Sequence, residues 1–119
     1  MDTTLWLVQW LTALGFLFAG AMKLLRSKAD LAGQMPWVRH FSAPQVKAIG
    51  LAELAGAAGL VGPGLAGTLP WLTPLAAGGL TVLMAGAVAT HVRINDVPAR
   101  AIPAAINLAL CLMVAIGRW

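Results

Sequence analysis

Residues 46–65 read Val-Lys-Ala-Ile-Gly-Leu-Ala-Glu-Leu-Ala-Gly-Ala-Ala-Gly-Leu-Val-Gly-Pro-Gly-Leu. The charged residues in that stretch are Lys47 and Glu53. No alternation of period two runs through it, and no polar face opposes an apolar one. A helix that is apolar around most of its circumference belongs in a membrane or a deeply buried core. About 20 such residues cross the hydrocarbon layer of a bilayer. Three other stretches are of the same kind: Leu5 to Leu25, about Leu72 to Val92, and Ile102 to Trp119. Barrel strands would show segments of about ten residues with alternating polarity, and these runs do not alternate. The expected fold is therefore all-α: an integral membrane four-helix bundle, with residues 1–119 forming a single transmembrane domain.

The composition agrees. Hydrophobic residues make up 60% of the 119 and charged residues 10%, against about 45–50% and about 25% in soluble domains. A soluble chain of this length buries only about two-thirds of its surface, and so few charges cannot wet the remainder. The mean hydropathy of +0.83 excludes a disordered chain as well. A pI near 10.3 invites a nucleic-acid reading, but the net charge is only +4 and no basic run exists, so no nucleic-acid partner is expected. Cys111, alone, excludes an internal disulfide and a Cys-based zinc site; it reads as small packing filler. No metal ligand set is expected. The first run resembles a leader peptide at Ala19-Gly20-Ala21, but no Lys or Arg precedes it and it is too long, so it reads as a span.

Basic residues set the orientation. Lys23, Arg26, Lys28, Arg39 and Lys47 flank the first connection, and Arg93 and Arg100 flank the third. Only Arg118 falls on the other side. The positive-inside rule places the first group in the cytoplasm, with both termini outside. Trp6, Trp10, Trp71 and Trp119 then form an aromatic belt at the outer interface, with Trp37 inside. A multi-pass protein of a bacterial inner membrane is the expected setting. Residues 26–45 mix charges with Leu31, Met35, Trp37, Val38 and Phe41. They suit either an interfacial helix broken at Pro36 or a plain loop, with a lid over a cavity as a third reading. Pro103 sits at an N1-like position of the fourth span.

Small residues crowd the second and third spans, among them the pairs Ala52/Gly56 and Ala55/Gly59. Such faces pack membrane helices closely. Against them Glu53 stands out. It lies six residues past Lys47, about 9 Å deeper along a helix, where a carboxylate must be paired, hydrated or protonated. Lys23 near the end of span one, His91 at the end of span three and Asn107 in span four fall in the same half of the bilayer. Gln9 lies in the outer half and cannot join them directly. On one reading Lys23 merely neutralises Glu53. On another, Lys23, Glu53, His91 and Asn107 form a ligand-binding polar site, with Glu53 and His91 as candidate acid/base groups.

At these residues the chain resembles the DoxX-like family of four-helix bacterial membrane proteins. Gly20-Ala21-Met22-Lys23-Leu24 matches its Gly-x-x-Lys-Leu helix end. Gly50-Leu51-Ala52-Glu53-Leu54-Ala55-Gly56, followed by Pro63, matches its second helix. The resemblance implies a redox or detoxification setting, since related DoxD-type proteins are the membrane subunit of a thiosulfate:quinone oxidoreductase. No haem, flavin or iron–sulfur motif is present, so a quinone or a partner redox subunit would have to supply redox chemistry. The expected function is binding of a quinone or another lipophilic small molecule in the cytoplasmic half of the bundle. The alternatives are an intramembrane acid–base enzyme, for isomerisation or epoxide opening through Glu53, and a non-catalytic structural subunit. Membrane lipids, a homo-oligomer and a redox partner are the expected associations.

Overall fold

The structure is a computed structural model that describes residues 2–94 and 98–119. Its elements are α1 (Asp2–Leu25), α2 (Lys28–Gln34), a 3-10 turn (Pro36–His40), α3 (Ala43–Ala66), α4 (Leu72–Arg93) and α5 (Pro98–Gly117). No strand occurs among the described residues. The long helices α1, α3, α4 and α5 are each long and apolar enough to cross a membrane. The 40 Å long dimension of the molecule is close to the roughly 40–45 Å of a bilayer with its headgroups.

Local chemistry sets the helix ends. α3 begins at Ala43, ahead of the apolar run, because Ser42 and Gln45 form a reciprocal cap. Gln45 N donates to Ser42 Oγ (3.2 Å), and Ser42 N donates to Gln45 Oε1 (2.9 Å). Gly67 ends the helix in the left-handed conformation, φ 68°, with its N–H donating to Pro63 O. α5 starts at Pro98 rather than beside Pro103, which lies inside it. Pro98 itself carries the preset φ that suits a helix start. Pro103 then leaves only the Ala99 carbonyl without its helix donor, in an exposed first turn.

The long helices run antiparallel in chain order. Gly20 meets Gly50, and Trp6 meets Gly64, across α1 and α3; Gly59 meets Ala76, and Gly56 meets Leu80, across α3 and α4. α4 lies along α5, and Leu5 against Gly117 brings α5 back to α1. One end thus carries Trp6, Trp10, Trp71, Trp119 and Arg118. The other, the basic end, carries the remaining Lys and Arg residues. Phe16, Leu60, Leu80, Cys111 and Val114 fill the interior. Leu11, Phe18 and Val82 are about 70% exposed (69%, 70% and 73%); on a membrane protein they face lipid.

Pro63 illustrates how polar backbone groups are served inside this bundle. Lacking an N–H, it cannot bond to Gly59 O four residues back. Thr73 Oγ1 of α4 donates to that carbonyl instead, at 3.1 Å. Thr73→Val should therefore lower stability by about 1 kcal/mol. In a Pro63→Ala background, where the helix supplies its own donor, the loss should largely disappear. A double-mutant cycle by reversible unfolding in detergent checks this.

Candidate functional site

Lys23 and Glu53 are built into place by two glycines. Gly20 and Gly50 touch across the α1–α3 crossing: a Cβ on Gly20 would lie 2.7 Å from Gly50 O, and one on Gly50 would lie 2.8 Å from Lys23 Cβ. No larger residue permits so close an approach. Each charged residue lies three positions after its glycine, hence on the same face. Side chains lean toward the start of their own helix. Because α1 and α3 are antiparallel, Lys23 and Glu53 lean toward each other. Lys23 Nζ donates to Glu53 Oε1 at 2.5 Å, with the side chains 8% and 3% exposed. Lys23 therefore reaches inward to the carboxylate.

The connection after α1 closes over this pair. Ser27 caps α2, accepting from Asp30 N at 3.2 Å. α2 ends before Pro36, which opens the 3-10 turn. Leu31, Val38 and Val46 are fully buried together, with Met22, Met35, Trp37 and Phe41 packed around them. The apolar residues of the segment are thus spent on the end of the bundle, and the segment is a structured cap. Trp37 lies over Lys23, its ring centroid 5.6 Å from Nζ. Phe41 holds Trp37 edge-on at 5.5 Å and 79°.

Of the other residues singled out from the sequence, neither His91 nor Asn107 bonds to Lys23 or Glu53. His91 is buried at the end of α4. The Gly56–Leu80 pairing puts Glu53 level with about Leu83, so His91 sits eight residues on, about 12 Å nearer the basic end. Asn107 is half-buried in α5. Among the described residues, no group of His, Cys, Asp and Glu is arranged to hold a metal.

A second polar cluster lies at the opposite end. Gln9 Nε2 donates to Leu60 O at 2.6 Å, and Arg118 Nε donates to Gln9 Oε1 at 2.7 Å. The Arg118 guanidinium lies 5.6 Å from the centroid of Trp6. This network ties α5 to α1 and α3. Its sequence signal was Gln9 inside a span, together with the lone basic residue of that end.

Ligand-sized space lies elsewhere. Two adjoining open cavities, about 480 and 460 Å³, run along the outside of α3 and α4 and share Ala55 and Ala76. Their walls are Ala, Gly, Leu, Val and Pro, with Thr68 the polar side chain near one end. Ala55, which lines both cavities, lies about 160° round the helix from Glu53; Gly56, one turn from Glu53, borders the second cavity, but neither Lys23 nor Glu53 lines either one.

Neither the curated proteins nor the solved structures contain a match to the chain. The model of the DoxX-like family matches residues 7–116, which span both glycine–charge motifs, the cap and most of every long helix. The chain is therefore a multi-pass membrane protein that belongs to the DoxX-like family.

Proposed function

We propose that this protein binds a lipophilic molecule in the α3–α4 groove, in a bacterial inner membrane with its basic end toward the cytoplasm. The supporting observation is the pair of contiguous apolar cavities, each within the size range of small-molecule sites. The groove opens to the side, so a ligand can enter from lipid. Its walls suit an acyl or isoprenoid chain. They suit the tail of a quinone equally, but among the described lining residues only Thr68 has a side chain able to bond a ring carbonyl, so the described walls do not favour a quinone over another lipophile. Glu53 serves here as half of a fastener. Acid–base work would require it to leave Lys23 and the Trp37 cap to lift.

One observation favours a second reading, a non-catalytic structural subunit: Lys23 and Glu53 bond to each other, and neither lines the groove. The two readings separate on one substitution. Ala55 is exposed and borders both cavities, so Ala55→Trp fills the groove without touching the core. Mass spectrometry of extracts from the purified protein should then show a co-purified lipophile reduced several-fold, with the melting temperature preserved. An unchanged extract would overturn the binding reading. A partner protein lost on Ala55→Trp would move the assignment to the structural subunit.

A further inference from the structure

We infer that the α1–α3 seam at the basic end holds one anionic phospholipid, its phosphate on Arg26 and Lys47 and one acyl chain along the seam below them. This site is separate from the α3–α4 groove and does not depend on the proposal made for it.

The cations are placed by the fold. Lys47 Nζ donates to Leu24 O at 3.0 Å, which fixes an ammonium at the C-terminal end of α1, where carbonyls lack helix donors. Arg26 follows two residues after Leu24 and is exposed. Among the described residues, neither Arg26 nor Lys47 forms a salt bridge; the ion pair at this end is the buried Lys23–Glu53. Two exposed cations thus stand at the C-terminal end of α1 without a salt-bridge partner among the described residues, and the end of a membrane-spanning helix is where lipid phosphates are met.

An apolar track continues from them. Lys47, Leu51 and Leu54 share one face of α3 at spacings of four and seven, and Leu17 and Leu24 share one face of α1. Leu24 and Leu54 reach across the seam: their Cγ atoms lie 3.4 and 3.0 Å from the Cβ positions of Gly50 and Gly20. Leu17 and Leu51 are 50% and 61% exposed. A headgroup on the two cations would therefore lay its chain against Leu51, Leu54, Leu17 and Leu24. A zwitterionic lipid would bring its own cation to the same place and gain less.

The test uses the full chain in nanodiscs of equal phosphatidylcholine and phosphatidylglycerol, followed by mass spectrometry of the lipids retained on release. The expected result is retention of phosphatidylglycerol over phosphatidylcholine. Each cation is worth about 1 kcal/mol, or about five-fold. Arg26→Gln, which leaves the Lys47–Leu24 bond intact, should cost about five-fold in retention. Arg26→Gln with Lys47→Gln should cost more than about tenfold. Arg93→Gln, which removes one charge at the other basic connection, should change retention less than about two-fold. Equal retention of both lipids, or equal loss with Arg93→Gln and Arg26→Gln, overturns the site in favour of a diffuse field. Inorganic phosphate that raises the melting temperature in pure phosphatidylcholine discs as far as phosphatidylglycerol does would reassign it to free anions.

Discussion

Glu53→Ala should destabilise the bundle by about 3–5 kcal/mol, the range found when one member of a buried ion pair is removed. The penalty arises less from the lost contact than from what stays behind. Lys23 is 6% exposed and lies beneath Trp37, so its ammonium would be left without its counter-ion. Lys23→Ala should act with similar size, leaving the carboxylate. The double substitution Lys23→Met with Glu53→Leu removes both charges and keeps volume, and should recover most of the loss. Reversible unfolding in mixed micelles measures all three. Additive losses in the double variant would show that the two residues act independently, contrary to the fastener described above. The comparison also bears on catalysis: an acid–base enzyme would lose activity in a double variant that has regained its stability.

Gly50→Leu should be comparably damaging, by a steric route. The first carbon of the new side chain would lie 2.8 Å from Lys23 Cβ and 2.9 Å from Gly20 O, and backbone cannot move aside as a rotamer can. α1 and α3 would have to separate along their whole crossing, with a loss of about 3 kcal/mol or more, at the upper end of overpacking effects. Separation also pulls Lys23 from Glu53, so the steric and ionic effects arrive together. Gly15→Leu is the control, since Gly15 is exposed, lies outside the groove, and has nothing within 4 Å of its Cβ position. It should stay within about 0.5 kcal/mol, as expected of a lipid-facing site away from packing features. A Gly50→Leu protein that melts with the parent would refute the close crossing.

These two predictions rest on residues with an unequal history in the sequence. Glu53 was conspicuous because a carboxylate deep in a span demands a partner, and Lys23 was the basic residue at matching depth. Their pairing is one of two readings the sequence allows, since His91 and Asn107 fall in the same half of the bilayer and could join them in a shared polar site. The register of α3 against α4 separates His91 by about two turns, and register between helices is not written in either helix alone. The connection shows the same limit. Leu31, Val38, Trp37 and Phe41 have the composition of an interfacial segment, and that composition is equally good for a cap. What directs them onto the bundle is Val46 and Met22, which offer a surface at the right place. The start of α3 is legible locally: Ser42-Ala43-Pro44-Gln45 is a capping box with a first-turn proline, and it places the start of α3 at Ala43.

What the sequence determined alone is the helical, membrane-spanning character of the chain. Lipid offers no hydrogen bonds, so long apolar segments must satisfy their backbone internally, and the helix does so. Length and hydropathy are enough to read that. The tertiary structure decided which faces meet, where the ligand-sized groove lies, and that Lys23 rather than His91 or Asn107 bonds to Glu53. In water, hydropathy distinguishes inside from outside. In a bilayer the solvent is as apolar as leucine, so a buried Leu60 and an exposed Leu11 look the same in sequence. The packing instead depends on glycines that admit a neighbour and on polar groups that must find one, and both are properties of pairs of helices.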